Sequence, residues 1–328
     1  RHLTNSFKSS IRIHAAFINI PMTSGHLFVN LFKFKLVKKL LNKAPARSSI
    51  NRPFASKALQ SLSKKDLKIL IASINSCSPN ASSCIINVDA SKIRPLLSSL
   101  IGSDEAAFRR IPLCSQTQCC NPFHWNAIIK STNDISSAFA YSTKSDSVQS
   151  LQCARRLLSA LEEKRPWCFV AYREEMQRVG PILPVKHPSI SLSSKRNAHT
   201  LETHVAKAFL PPVETSHQND VILRTRLKIN CVLELDSSGA VWIHNSSSHP
   251  IFLSSALFAV QNQTVIKIPR FSCYKVFDPS LIIDTTHRVS EPVDHSSFCI
   301  SFAKGFGDCY IRREIGKCPC WIEVIMNF

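Results

Sequence analysis

Hydrophobic positions follow two different periods along this 328-residue chain. Over residues 54–76, FASKALQSLSKKDLKILIASINS, the apolar positions Leu59, Leu62, Leu67, Leu70, Ile71 and Ile74 recur at helical spacing with lysines between them. That spacing predicts one or two amphipathic helices facing a core, ended by Pro79 and Asn80. CIINV at 84–88 predicts a short strand, and RPLLSSLI at 94–101 is a further apolar segment. Residues 131–150 are rich in Ser, Thr and Asp, which predicts a linker, and LQCARRLLSALEE at 151–163 predicts a short helix before a second domain. From Trp167 onward the period changes. Short apolar runs (WCFVAY, INCVLEL, AVWIHN, PIFLSSALF, TVIKI, FCISF, CWIEVIM) are cut by Pro, Asn, Asp, Ser and Gly, the pattern of a β-sandwich. Residues 202–210 and 279–289 read as helical or loop inserts.

Charge divides the chain in a different place. The formal charge is +19, and residues 1–65 hold 13 Lys or Arg with no Asp or Glu, the first acid being Asp66. Residues 1–50 therefore read as a basic, disordered arm suited to nucleic acid, an anionic membrane or an acidic partner, or simply solvated. Within it LFVNLFKFKLVKKLL (27–41) is too charged to span a bilayer, and the lack of acids also suits a transit peptide. No run of 18 apolar residues occurs elsewhere, so no membrane span is expected and the protein is read as soluble. The chain begins with Arg, and Met22 is a candidate true start. Seven glycines leave no GxxxxGK[ST] or GxGxxG pattern, and KGFG at 304–307 is too short to cradle a nucleotide.

The 13 cysteines carry the candidate chemistry. Without a secretory signal a disulfide framework is not expected, so each cysteine is a small buried hydrophobe or a metal ligand. CCNPFHW (119–125) places cysteines and a histidine around a turn that Pro122 fixes. A tetrahedral zinc needs four such ligands, and Cys84, Cys114, Cys119 and His124 would make a closed, structural Cys3His site holding one Zn2+. Cys120 rivals Cys119 for that role and Cys77 rivals Cys84. The same residues allow two enzymatic readings, a Cys119 or Cys120 nucleophile with His124 as base, or a zinc-dependent nuclease. No orienting acid or open metal position is evident, and the chain is read as not an enzyme.

CCNPFHW resembles the end of the N-terminal MAD-homology domain of the SMAD proteins, and SSCIINV resembles the strand holding that domain's first zinc cysteine. WCFVAYREEMQRVG (167–180), INCVLELDSSGAVWIHNSSSHPIFLSS (229–255), KVFD (275–278), SFAKGFGDCYIRREI (301–315) and CPCWIEVIMN (318–327) resemble the C-terminal MAD-homology domain from end to end. The doubled cysteine, the CPCW tetrad and LVKKLLNKAPAR (36–47) are similar to inhibitory SMADs. So is the ending, seven residues after Trp321 and without a Ser-x-Ser tail. The resemblance implies a multidomain protein: the basic arm (1–50), a small α+β zinc-containing N-terminal MAD-homology domain (51–130), a linker (131–164) and a C-terminal β-sandwich (SMAD/FHA-like) with flanking helices (165–328).

The resemblance also implies the function. The C-terminal domain would bind a phosphorylated type I receptor serine/threonine kinase or other SMADs, and so dampen TGF-β- or BMP-type signalling in cytoplasm and nucleus. Arg224, Arg226 and Lys228 match the basic strand that inhibitory SMADs turn toward the receptor, and alternation would put all three on one strand face. Lys304, Tyr310, Arg312, Arg313 and Lys317 fall at the family's recognition loop. Only 29 residues separate Cys84 from Cys114, which leaves about NVDASKIRP, with Lys92 and Arg94, where DNA-binding SMADs carry a reading hairpin. Specific DNA binding is therefore expected to be weak or absent. Residues 131–166 lack the Pro-Pro-x-Tyr stretch that recruits WW-domain ligases. The alternative is a divergent co-mediator or a DNA-bound SMAD acting on transcription.

Overall fold

The computed structural model describes residues 24–43, 52–76, 83–99, 107–129, 147–193, 205–209, 220–258, 265–282 and 294–328. Its N-terminal part is helical: α1 Ser24–Lys43, α2 Arg52–Ser61, α3 Lys64–Ser76 and α4 Ala90–Ser99. The expected pair of helices over 54–76 is α2 and α3. Ser63 separates them and caps α3 in a reciprocal box: Asp66 N–H donates to Ser63 Oγ at 3.1 Å, and Ser63 N–H donates to the Asp66 carboxylate at 3.2 Å. Leu59, Leu62, Leu67 and Leu70 are buried as the spacing required, together with Leu97 of α4 and Cys120. The arm differs from expectation. Residues 24–43 are helix, and Val37 and Leu40 enter this same core, so a basic sequence is held by one apolar stripe. The segment 94–101 falls largely within α4, and CIINV contributes one isolated bridge, Ile86 to Cys119, rather than a strand.

Two seven-stranded sheets face each other over the C-terminal core. One contains β3 Cys168–Glu174, β4 Gln177–Arg178, β5 Leu183–Val185, β10 Ile251–Ser255, β11 Ile266–Ile268, β13 Ser297–Phe302 and β14 Trp321–Met326, in the order β11-β10-β13-β14-β3-β4 with β5 also on β3. The other contains β6 Ser189–Ser193, β7 Val205–Phe209, β8 Asn230–Leu235, β9 Val241–Asn245 and β12 Ser272–Phe277. Two strands from before the sandwich, β1 Phe108–Arg110 and β2 Trp125–Ile128, complete it in the order β1-β2-β12-β9-β8-β6-β7. Alternation decides which side chains go inward. Ile322, Val324 and Met326 of β14 enter the core, while Glu323 faces out and pairs with Arg173 across the ladder at 2.9 Å.

Residues 131–146 of the expected linker lie outside the described residues, and most of the rest of it is helical. Helix α5, Ser147–Glu162, buries Cys153, Leu157 and Ala160 in the sandwich core, so the second half of 131–164 belongs to that core. The predicted strand at 224–228 is instead helix α6, Asp220–Arg226, followed by a turn, whereas residues 205–209, expected as an insert, are strand β7.

The outer face of β8 and β9 joins the two parts. Glu234, Trp242 and His244 alternate away from the core and meet β1 and β2. Arg109 Nε donates to Glu234 at 2.9 Å, its guanidinium lies 4.4 Å over the Trp242 ring, and Nη2 is 3.5 Å from Asp236. His244, fully buried, is 2.9 Å from Glu234 through Nε2, and its Nδ1 is 3.5 Å from the Asn126 amide. Those partners suit a neutral ring with the proton on Nε2. Burial lowers the His244 pKa, with Arg109 adding to this and Glu234 opposing it. At Glu234 burial raises the pKa, but the bonds to His244 and Arg109 outweigh it, and the net shift is down.

Both shifts have the same consequence for stability. The unfolded chain takes up protons that folded His244 refuses, so stability falls as pH drops below about 6.5, and the Glu234 contribution is lost further down, through its lowered pKa. Thermal melting between pH 8 and 5 is expected to show a plateau followed by a decline, and His244→Gln is expected to flatten the upper part of that decline. An unchanged pH profile in the variant would show that His244 is not the titrating group.

Candidate functional site

Two sites emerge, one made of sulfur and one of positive charge. In the first, Cys84, Cys114, Cys119 and His124 come together with all four ligand atoms within 4.8 Å of one another. Cys84 Sγ is 3.7 Å from Cys114 Sγ and 3.6 Å from His124 Nδ1, and Cys119 Sγ is 3.4 Å from the same nitrogen. Tetrahedral zinc with bonds of about 2.3 Å to sulfur and 2.0–2.1 Å to nitrogen sets edges of roughly 3.8 and 3.6 Å. The donors present therefore fit zinc, and the sulfurs are too far apart for a disulfide.

CCNPFHW is folded so that each residue has one task. Cys119 faces the donor cluster while Cys120 turns into the helical core. Asn121 is buried. Its Oδ1 accepts from Phe123 N–H at 3.1 Å, and its Nδ2 donates to the Ser83 carbonyl at 2.9 Å, which fixes the residue before Cys84. Pro122 opens a 3-10 turn that ends at His124. Phe123 packs edge-on to Phe271, with ring centroids 5.3 Å apart. Trp125 Nε1 donates to the Cys119 carbonyl at 2.8 Å. Cys77 lies outside the described residues.

Protonation favours a cation here. Cys119 is lowered to about 4, first by the hydrogen bond from Cys114 and then, against burial, by His124; Cys114 is raised by the same shared bond and by burial.

Arg94, considered above as a remnant of a DNA reader, is turned inward. Its guanidinium lies 3.2 Å from the centre of the Trp125 ring, and Nη2 donates to the Cys119 carbonyl at 3.4 Å. Lys92 is exposed beside Asp89 on α4. Nothing in the sequence signalled Arg94 and Trp125 as supports of the cysteine cluster, because α4 and the turn are 25 residues apart.

The second site lies where the β13–β14 loop leaves the sandwich. Phe306, Cys318 and Trp321 anchor the loop on Phe252, and Trp321 Nε1 donates to the Glu175 carbonyl at 2.7 Å. Tyr310 packs edge-on to Phe252 at 5.4 Å and covers Gly305 so closely that a side chain there has no room. The loop presents Arg313 and Lys317 to solvent, Lys304 and Arg312 half-buried, and Ile311 fully exposed. Arg312 Nε donates to the Lys317 carbonyl at 3.1 Å, and Arg313 Nη1 to the Asp308 carbonyl at 2.9 Å, so backbone contacts shape the basic rim. Lys228 follows the end of α6 and is half-buried; burial, then the charges of Lys228 and Lys304, lower the His249 pKa.

Arg226 does not join this surface. On α6 Arg224 is exposed, whereas Arg226 is 3% exposed and bonded to Glu174, with Nε to Oε1 at 2.8 Å. Residues two apart on a helix project to opposed sides, where strand geometry would have aligned them. Tyr172 donates its hydroxyl to the same Glu174 oxygen at 2.8 Å. The CPCW cysteines are structural neighbours of this arrangement: Cys318 lies under the loop and Cys320 against the Ile222 carbonyl of α6.

A sandwich of this kind, with an anchored basic loop at one end, is an MH2 domain, and residues 165–327 match the MH2 domain family model. The chain is 29% identical over 245 residues to Mothers against decapentaplegic homolog 7 of Homo sapiens, covering 64% of this chain and 55% of that protein. To Mothers against decapentaplegic homolog 6 of Gallus gallus it is 31% identical, with the same shares covered. Residues 165–327 belong to the MH2 domain family, and the chain is similar to the SMAD proteins, most like the inhibitory SMADs, as its motifs anticipated. The chain spans about half the length of these curated relatives. A solved interferon regulatory factor 9 IAD domain aligns over 49% of this chain and 83% of its own with a TM-score of 0.37 and 11% identity, too distant to carry an argument. Among the described residues no helix is long and apolar enough to cross a membrane.

Proposed function

We propose that this chain is an inhibitory adaptor. Its C-terminal domain occupies a phosphorylated type I receptor serine/threonine kinase, or a partner SMAD, and thereby dampens TGF-β- or BMP-type signalling in cytoplasm and nucleus. The carrying observation is the loop anchored on Phe252, which presents Arg313 and Lys317 to solvent beside half-buried Lys304 and Arg312. A phosphoserine brings a charge of about −2 and three acceptor oxygens, and grouped basic side chains on a fixed loop are what hold it. Arg224 lies on the same helix as this edge; Arg226 supports it from within.

The N-terminal part, in this reading, is a MAD-homology domain closed by one structural Zn2+ on Cys84, Cys114, Cys119 and His124. All four positions are taken by protein, which suits a structural role rather than catalysis. When bound, the metal supplies a crosslink between segments that share little core; the chain's own residues orient it through Asn121, Arg94 and Trp125. Specific DNA readout is weak or absent in this reading, because α4 occupies the stretch where a reading hairpin would lie and Arg94 is engaged internally.

In a pull-down on phosphorylated receptor kinase domain, Lys228→Glu with Arg313→Glu is expected to lower retention by about tenfold or more, with melting unchanged. Retention equal to wild type would remove this surface from the receptor contact.

A further inference from the structure

Helix α1 carries a surface that neither the cysteine cluster nor the basic loop uses. Its inward stripe is Leu36, Val37, Leu40 and Leu41. The opposite arc holds Phe34, Lys35, Lys38 and Lys39, all exposed, and Phe34 shows 59% of its area to solvent. Phe34 and Lys38, and Lys35 and Lys39, are four residues apart, so they form two adjoining rows on this arc. Phe32, 41% exposed, lies at the other margin of this arc, three residues before Lys35, and Lys64 of α3 sits over its ring at 4.2 Å. Lys68, one turn along α3, is exposed as well. No acid competes, because residues 1–65 contain none and Asp66 is occupied by Ser63.

The geometry points to an anionic lipid bilayer as the partner of this arc, with Phe34 entering the headgroup boundary and the lysines lying on acidic headgroups. Scattered exposed apolar residues are ordinary. Here the aromatic ring stands inside an all-positive field on a convex helix, the arrangement by which interfacial helices combine apolar insertion with charge. Nucleic acid fits less well. Every cation in the arc is Lys, a point charge without the planar fork used for bidentate contacts. The inference is independent of the receptor reading and of the zinc, and places a second contact on the adaptor far along the chain from its phosphate-facing loop.

The test is sedimentation of the full chain with vesicles of phosphatidylcholine alone and of phosphatidylcholine with phosphatidylserine, beside a duplex DNA arm. Binding is expected only to the phosphatidylserine vesicles and is expected to weaken with salt. A Lys35→Glu, Lys38→Glu, Lys39→Glu variant should lose about a hundredfold in partitioning, since each lysine near such a surface contributes roughly fivefold. Phe34→Ser should lose about fivefold or more at unchanged melting temperature and salt slope. The proposal is overturned if both vesicle types bind alike, if the lysine variant partitions as wild type, or if Phe34→Ser has no effect. It is also overturned if duplex DNA alone is retained in a lysine-dependent manner.

Discussion

Stripped of metal by a chelator under reducing conditions, the protein is expected to lose amide protection across residues 83–88 and 110–124 while the sandwich strands β8, β9 and β14 keep theirs. The reason is how few apolar side chains surround the four donors. Their apolar cluster is Ile111, Cys114 and Cys119 with Cys84 and Leu113 at the margin, and three of those five are donors. The bridge of Ile86 with Cys119 and the Asn121 bond to the Ser83 carbonyl join the first donor's segment to the last turn. Structural zinc contributes on the order of 10–16 kcal/mol in small isolated sites, more than the marginal stability of a domain. Metal analysis should find one zinc in the wild type. His124→Ala and Cys119→Ser should lose it, and Cys120→Ala should retain it, because Cys120 faces the helical core. One full equivalent of zinc in His124→Ala would show that the ion sits elsewhere.

Arg226→Ala is expected to destabilise the sandwich by about 3–5 kcal/mol, measured as a lowered denaturant midpoint at constant slope. The variant leaves Glu174, with 12% of its side chain exposed, charged and without its main partner. Burial works against the Arg226 charge, but its bonds to Glu174 and Tyr172 prevail and raise its pKa. Replacing Arg226 by Met and Glu174 by Gln together should restore most of the loss, since no isolated charge then remains. A drop in receptor retention for Arg226→Ala is thus a folding effect. Arg224→Glu, at an exposed position, is expected to change stability by less than about 0.5 kcal/mol, and any loss of binding it causes belongs to the surface. Equal destabilisation by both variants would contradict the burial that separates them.

Much of this architecture was legible because the side-chain period in the sandwich is unambiguous. INCVLEL and CWIEVIM could only bury one face, and the structure buries it. The helical pair over 54–76 was legible for the same reason. The misreading at Arg224 and Arg226 shows where periodicity stops: a seven-residue segment with basic residues two apart satisfies a strand, yet the apolar Ile222 and Leu223 that half-bury its other side fit a helix docked on Cys320. Helix α1 escaped notice because lysines interrupt its apolar positions, and only the packed core shows which of them form the stripe. Cys119 and Cys120 could not be separated from spacing, since neighbours on a turn point in different directions and the turn's orientation is set by Asn121 reaching Ser83, 38 residues earlier. The union of β2 with β12 had no local signal at all.

That union also orders events in time. Strand β2 pairs in parallel with β12, Ala127 opposite Ser272, and Asn126 meets Cys273, 147 residues later. At synthesis rates of about 5–20 residues per second, β2 waits on the order of ten seconds on the ribosome for its neighbour to be made. Through that interval its hydrogen-bonding edge is open, and the cysteine turn immediately before it is the part of the chain already complete enough to close. A nascent chain starved of metal would therefore present both an unfastened turn and an unpaired strand to the chaperones at the tunnel exit.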